Sequence, residues 1–522
     1  MNKRLLLGIT AQFGALICAA QFVVFDNSFS QDGSLTMSLG SSGGYPKSLL
    51  VQPDGRIVIV GSTTPAGQHR TISIVRLNED GTLDTDFSFD GKVEINTMSL
   101  NLVEWYDEPV GTALQPDGKL VVVGQAGTDF YKDYLVLRIN ANGSIDEDFG
   151  DGGWTTTDVD GQNNLAMGMS LLPDGKILVL GEGGFSDGRH VLLRYDQAGD
   201  LDSTFGVGGI AMSPPAAFMR EAYAMTVDEN GMIIVAASEM TSDVSAYYLT
   251  LYRYTPEGVL DTSFDDDGLW ICPRPSEDIV RTKSLWIDDN GMYCSAGLAD
   301  NDSLMTLRAE PSGSLDPTYG NAGVGMFRPE YFIAGSALQD LDGGMIVVGR
   351  VGNLSDAALM RLTADGELDL DFGVNGVAVQ NPVGSTDSRY EVITMDADLR
   401  WILAGNGPVG GMGNQAAVVR FLGNDATFIP PFTPSSSLRI FPNPATSEIR
   451  ISNGDSGSGQ SDIRIVASNG ATSAARLSVE APPNAVSKEM RVDVSMLPAG
   501  LYTVVALYDE QRVIGRFAVV PR

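Results

Sequence analysis

With 522 residues, 60 of them glycine, and 43% hydrophobic side chains, the chain is long enough for more than one core and turn-rich, which favours an all-β fold. Its formal net charge of −32 is unevenly placed: residues 21–437 carry −35, while residues 438–522 hold nine basic against eight acidic groups. So acidic a body repels nucleic-acid phosphates and anionic headgroups, which excludes a basic groove for either.

The first twenty residues have the pattern of a secretory signal: Lys3 and Arg4, an apolar stretch from Leu5 to Ile17, then small residues at Ala19 and Ala20. Residues 1–20 are therefore expected to be a signal peptide cleaved after Ala20. Lipoprotein processing at Cys18 fits poorly with the bulky Ile17 before it. No later run approaches the roughly 18 apolar residues of a membrane span, so no transmembrane span is expected.

From residue 26 to residue 421 two motifs alternate. One is a hairpin, QPDGRIVIVGS from Gln52, QPDGKLVVVGQ from Gln115 and LPDGKILVLGE from Leu172, with DENGMIIVAAS from Asp228 and fainter copies near Asp288 and Leu341. The other opens on an arginine, as in VRLNEDGTLDTDFSFDGKV from Val75. Its arginines are Arg76, Arg138, Arg194, Arg253, Arg308 and Arg361, with a seventh at Arg420, spaced by 62, 56, 59, 55, 53 and 59 residues. Each unit contains four short apolar runs, and the Pro-Asp-Gly turn marks a tight hairpin because proline presets φ and glycine accepts a positive one. Seven four-stranded antiparallel units predict a seven-bladed β-propeller over residues 21–421; a parallel β-helix needs shorter coils. In the second unit the runs are GKVEI, GTALQ, KLVVVG and YLVLRI, so GKVEI is expected to be a blade's first strand.

The hairpin and the LRxxxxGxLDxxFGxxG segment together resemble the delta-60 repeats of bacterial secreted proteins. That family is defined by pattern, and the resemblance implies no catalytic residue. The unit near Cys294 and the last one, where DADLRWILAG lacks the Pro-Asp-Gly turn, depart most from it.

If the strands alternate in direction, the Pro-Asp-Gly turns and LDxxFG segments share one face of the ring, and the irregular connections share the other. Those connections hold Trp105, Tyr106, Tyr131, Phe218, Arg220, Tyr331 and Tyr390, the aromatic and polar residues that recognition surfaces favour, and these are the binding-face candidates.

Residues 422–437, including TFIPPFTPSSS, read as a Pro/Ser/Thr-rich linker. Residues 438–522 open with LRIFPNPATSEIRIS and end with LPAGLYTVVALYDEQRVIGRFAVV, a pairing that resembles the type A sorting domain of the type IX secretion system. The resemblance implies a small C-terminal β-sandwich in which Phe441, Pro442, Asn443, Pro444, Gly500 and Tyr502 belong to the sorting module. It also implies that the type IX machinery is a partner and that the protein ends outside the cell or on the outer-membrane surface.

Chemistry is sparse along the chain. His69 and His190 have no second ligand at metal spacing and no nucleophile motif beside them, so no catalytic or metal-binding residue is assigned. Asp-rich turns such as DEDFGDGG and DTSFDDDGLW admit calcium, but aspartate also serves turns directly, so no cofactor is expected. Cys272 and Cys294, placed in the first and third strands of one blade, should be too far apart for a disulfide. Six arginines are followed eight residues later by an aspartate, whereas Arg420 meets Phe428. FDNSFSQDG near the N-terminus copies the aspartate-bearing linker with no unit before it. Asp26 and Arg420 are therefore expected to pair and close the ring, with SLTMSL as first strand of blade one. Two functions remain open: a binding or scaffold protein engaging a glycan or protein through the variable face, or a polysaccharide hydrolase or lyase with paired carboxylates.

Overall fold

The computed structural model describes residues 23–423 apart from 65–69, 97–106, 129–130, 160, 162, 184–187, 216–219, 241–246, 274–279, 300–302, 329–331, 341, 353–355, 381–387 and 410–413. Beyond residue 423 it describes the backbone of six strands. The signal segment, His69, the linker from residue 424 to 437, and Pro442, Asn443 and Pro444 lie outside the described residues.

Each second strand is a run of β-branched and aliphatic side chains, as in Ile57–Thr63, where all seven residues are buried. A strand covered on both faces reads as a continuous apolar run, and that is what IVIVG and its copies encode. Seven antiparallel sheets result. The first contains Tyr45–Val51, Ile57–Thr63, Thr71–Leu77 and Lys92–Ile95 in sequence order, and five more repeat that order. Their innermost strands are Tyr45–Val51, Glu108–Leu114, Leu165–Leu171, Arg220–Val227, Arg281–Ile287, Ile333–Gln339 and Arg389–Met395. Each innermost strand touches the next, and the seventh touches the first, so the sheets form a closed ring. The fold is a seven-bladed, all-β propeller, as the repeat spacing predicts.

The blade boundary differs from the sequence-based expectation. Lys92–Ile95, the GKVEI run, pairs with Thr71–Leu77 and is the outermost strand of blade one, not the first strand of blade two. Likewise Ser34–Met37, from SLTMSL, pairs with Asn414–Leu422 and completes blade seven. Four apolar runs per period fix the number of strands but not where the cut between blades falls. What fixes it is the short turn that holds the outer strand against the arginine strand.

That turn repeats in the N-terminal segment. The amide of Asp84 donates to Arg76 O at 3.0 Å, Gly91 N to Phe87 O at 2.8 Å, and Arg76 N to Gly91 O at 2.9 Å. Asp26 N donates to Arg420 O, Gly33 N to Phe29 O and Arg420 N to Gly33 O at 2.9, 2.7 and 2.9 Å, the same net across a chain separation of almost four hundred residues. Ser30 and Gln31 take positive φ of 50° and 70°, matching Ser88 and Phe89 at 52° and 68°. The last blade's hairpin, lacking Pro-Asp-Gly, keeps its shape by placing Leu399 at φ 66° where blade one has Gly55 at 86°.

The Arg-to-Phe consensus is a clamp between blades. Arg76 Nε donates to Asp84 Oδ2 at 2.7 Å, Nη1 reaches the carbonyl of Ala141 in blade two at 2.6 Å, and the guanidinium lies 4.5 Å from the centre of the Phe87 ring. Arg138, Arg194, Arg253, Arg308 and Arg420 likewise reach carbonyls one blade on, at Gln197, Pro256, Pro311, Ala364 and Glu79. The glycine five residues after each of the first six arginines has a reason in this clamp. At Gly81, φ +86°, an added Cβ would lie 2.9 Å from the Phe29 ring, and at Gly143 it would lie 2.9 Å from Ser88 N.

The C-terminal strands form two three-stranded antiparallel sheets: Arg439–Phe441, Glu448–Ser452 and Glu489–Asp493 in one, Asp462–Ala467, Gly500–Tyr508 and Gln511–Val519 in the other.

Candidate functional site at the channel mouth

All the innermost strands carry a bulge near their first residue, where the register shifts by one. The bulged residues are Lys47, Val110, Met167, Tyr223, Lys283, Gly335 and Glu391. In six blades the glycine of the VVVG run makes room for this, and blade four keeps the bulge with Ala237 at that place. An added Cβ on Gly61 would meet Tyr45 O at 2.4 Å, and one on Gly297 would meet Arg281 O at 2.3 Å. A motif glycine in the second strand therefore shapes the first strand's exposed end, a role the sequence pattern does not announce.

The inner strands run from the variable face towards the Pro-Asp-Gly turns, so their bulged ends surround the central channel on the variable face. Charges from distant blades meet there. Lys283 in blade five is an exposed residue that faces the channel, and the surrounding ring desolvates its ammonium, which senses Glu391 and Arg389 of blade seven and Lys47 of blade one. Burial within the surrounding ring holds it below the usual lysine value; Glu391 opposes the shift, and Arg281, Lys47 and Arg389 reinforce it. Lys47 pairs with Glu108 at 3.0 Å, a carboxylate shared with Arg70 at 3.1 Å, and Arg389 pairs with Glu391.

The opposite arc is acidic. Glu182 ends the second strand of blade three, and its Oε1 accepts the Ala222 amide of blade four at 3.0 Å. Burial, then the charge of Glu221, pushes the Glu182 carboxyl up to about 7, with the Ala222 bond only partly offsetting them. Glu221 in turn accepts a hydrogen bond from the Tyr223 hydroxyl. In blade two the same staple is made by Gln125, whose Oε1 accepts Ala166 N at 3.1 Å. An amide therefore suffices to join blades here, and the carboxyl at position 182 brings an ionisation the staple does not require. The pair is invisible in the sequence because Glu182 and Glu221 sit in different repeats at different motif positions.

Of the binding-face candidates, Tyr131 stands on the variable face, 64% exposed. Tyr390 is a correction: it is fully buried between blades, and its hydroxyl donates to Gln380 O at 2.9 Å, so it belongs to the core. Its place directly before the bulged Glu391 turns it into the blade interface. Trp105, Tyr106, Phe218 and Tyr331 lie outside the described residues, and Arg220 is described only as strand backbone. The same holds for Phe441, Gly500 and Tyr502 in the C-terminal sheets. Asp26 and Arg420 are brought together as expected, Nε to Oδ2 at 2.8 Å.

His190 is a buried strand residue whose Nε2 lies 2.7 Å from the Tyr254 hydroxyl, between Tyr252 and Tyr254. Cys272 and Cys294 are both buried and are not joined by a disulfide. Their positions correct the expectation, because Cys272 follows the outer strand of blade four and Cys294 lies in the second strand of blade five. The first aspartate of each Asp-rich turn, Asp146 or Asp261, is held by the clamp. Asp261 Oδ1 accepts Ser263 N at 3.0 Å while Oδ2 accepts Arg253 Nε at 2.7 Å. Among the described residues no group of three His, Cys, Asp or Glu is placed to hold a metal ion, and no helix is long and apolar enough to cross a membrane.

A ring of seven four-stranded blades, clamped by arginines and closed by its own N-terminal segment, defines a β-propeller. Comparison with protein families agrees. Residues 52–87, 115–149, 172–205 and 341–372 match the family described as a domain of unknown function (DUF5122) beta-propeller, and residues 439–519 match the secretion system C-terminal sorting domain. The chain thus forms a seven-bladed propeller with four segments similar to that family, followed by a segment similar to the sorting domain.

No curated protein matches the sequence. Solved structures similar to this chain include the polysaccharide lyase Uly1, with 11% identity, TM-score 0.42, and coverage of 74% of this chain and 91% of that one. Drosophila Semaphorin 1a, extracellular domains 1-2, is similar at 7% identity and TM-score 0.42, covering 74% and 88%. A PL25 ulvan lyase bound to a saccharide is similar at 11% identity and TM-score 0.41, covering 73% and 95%. At these scores the likeness carries no argument about ligand or reaction.

Proposed function

We propose that the protein is a secreted or cell-surface binding protein that takes its ligand at the channel mouth and surrounding loops of the variable face. The sorting domain indicates secretion to the cell surface or beyond. One observation carries the choice of face. On the patterned face six of the repeated arginines reach a carbonyl of the next blade and Arg361 is held by Asp340, Asp342 and Asp369, whereas Lys283 and Arg281 at the channel mouth make no such clamp. Tyr131 adds an exposed aromatic on the same side. The test is a glycan and protein binding screen with the full exported protein, repeated with Tyr131→Ala and Glu221→Gln. Binding untouched by both changes but lost on altering the patterned face would overturn the assignment.

The paired carboxylates favour a second reading, a hydrolase or lyase acting on polysaccharide. Glu182 stays protonated to near neutrality and suits a proton donor, while Glu221, held by the Tyr223 hydroxyl, suits the complementary base or charge stabiliser. Incubation with a polysaccharide panel decides between them: new chain ends that vanish in Glu182→Gln support catalysis. Binding without product from any tested polysaccharide supports the binding protein.

A further inference from the structure

We propose that the basic arc of the channel mouth, formed by Lys47, Arg281, Lys283 and Arg389, binds the carboxylate or sulfate of a small acidic sugar, with Lys283 at its centre. This deepens the channel-mouth reading above and rests on it.

Geometry comes first. Lys283 belongs to blade five, Arg389 to blade seven and Lys47 to blade one, so their charges converge only because each is carried on the bulged end of an innermost strand. Four cations meet there in a chain whose formal charge is −32. The neighbouring carboxylates are already engaged: Glu108 by Lys47 and Arg70, Glu391 by Arg389. The side chains of Lys283 and Arg281 have no hydrogen-bonding or ion-pair partner among the described residues. An exposed lysine enclosed by like charges is held in an unfavourable field that an oxyanion relieves. Burial is the first cause of the depressed Lys283 ammonium, and Arg281, Lys47 and Arg389 add to it against Glu391.

Ligand size follows from the rest of the surface. The acidic body repels a nucleic acid, an acidic protein or a long polyanion over its whole approach, whereas one carboxylate or sulfate on a small molecule meets mainly the local field. The facing arc selects what the other end carries. Glu221 repels a second negative charge and accepts hydroxyl donors, so a molecule with an oxyanion at one end and hydroxyls at the other fits both arcs.

Ligand-observed NMR titrations with glucuronate, glucose 6-sulfate, glucose and a long sulfated dextran test this on the whole protein. Glucuronate or glucose 6-sulfate should bind more tightly than glucose and lose about tenfold in affinity in Lys283→Met, as expected for losing one charged hydrogen bond. Lys283→Arg should retain most of the binding. Lys92→Met, on the outer strand of blade one, should leave it unchanged. Arg281→Gln gives an independent check should Lys283→Met fail to fold. Equal binding of glucose, indifference to Lys283→Met and Arg281→Gln, or tighter binding of the dextran overturns the oxyanion site. If glucose then binds and Glu221→Gln removes it, the channel-mouth reading survives the loss; if no sugar binds, the oxyanion site falls, and the screen of glycans and proteins separately decides the broader reading.

Discussion

Cutting the Asp26–Arg420 pair should open the ring at one known seam. The Arg420 side chain is 1% exposed and that of Asp26 is 9% exposed, so Asp26→Ala leaves a guanidinium buried without its carboxylate. Arg420 would keep its bonds to Glu79 O at 2.6 Å and Ser28 Oγ at 2.8 Å, and its place 5.1 Å from the Phe29 ring centre. Removing one member of a buried pair costs about 3–5 kcal/mol. Arg420→Ala should cost less, because Asp26 retains Arg400 at 3.5 Å and the Ser28 hydroxyl at 2.6 Å, although the carbonyl of Glu79 loses its donor. The double mutant should lose less than the sum of the two by about 1–3 kcal/mol, the coupling expected of residues in direct contact. Urea unfolding followed by tryptophan fluorescence reads all three. Limited proteolysis adds the location: cleavage should begin between residues 23 and 44, where the N-terminal strap peels from blade seven. Losses additive within about 0.5 kcal/mol, or first cleavage elsewhere in the ring, would refute the closure.

Four further outcomes are expected. Burial disfavours the charged form of Asp26, Asp146, Asp261 and Asp316, but their hydrogen bonds and the clamping cations outweigh it and hold all four below the ordinary 3.8. Their stabilisation is therefore complete above that value and lost as pH falls through the depressed range, which acid unfolding monitored by circular dichroism checks. Glu182 has the opposite sign: with its carboxyl raised from 4.5 to about 7, stability should fall as pH rises across that interval. Glu182→Gln, which keeps an acceptor for Ala222 N as Gln125 does for Ala166 N, should remove about 1–3 kcal/mol of that fall; an unchanged pH profile contradicts the placement of the acid pair. Deleting residues 438–522 should hold a folded propeller in the periplasm, and normal export of the truncated chain would contradict the sorting role. Thiol labelling of the unfolded, unreduced mature protein should find two reactive cysteines, and finding none would contradict the positions of Cys272 and Cys294 in separate blades.

The ring was legible in the sequence because its clamp uses residues at fixed offsets within one repeat. Arg76 and Asp84 are eight apart, Phe87 eleven from Arg76, and the orphaned Asp26 and Arg420 fit the same rule across the whole chain. What was not legible depends on neighbouring repeats. The cut between blades is decided by hydrogen bonds such as Arg76 N to Gly91 O, and apolar runs alone do not distinguish GKVEI as the last strand of one blade from the first of the next. Tyr390 illustrates the other limit. It resembles a recognition residue in a loop-like stretch, but one position beside a bulge separates a side chain in the core from one in the channel.

The same bulge explains why structure and function can diverge in this ring without interfering. Inter-blade clamps need the arginine, glycine, aspartate and aromatic of each repeat, and all lie towards the patterned face. The bulge needs only room, which the second-strand glycines supply at Gly61, Gly124, Gly297, Gly349 and Gly405 through contact with backbone rather than with any particular side chain. The residue carried on the bulge is consequently unconstrained by the clamp, and in this chain it is lysine, valine, methionine, tyrosine, lysine, glycine and glutamate around the ring. A repeat can therefore vary the chemistry at its channel mouth one blade at a time while keeping every bond that closes the propeller. For this reason the least repetitive charges, Lys283, Glu182 and Glu221, are the ones on which the functional tests are placed.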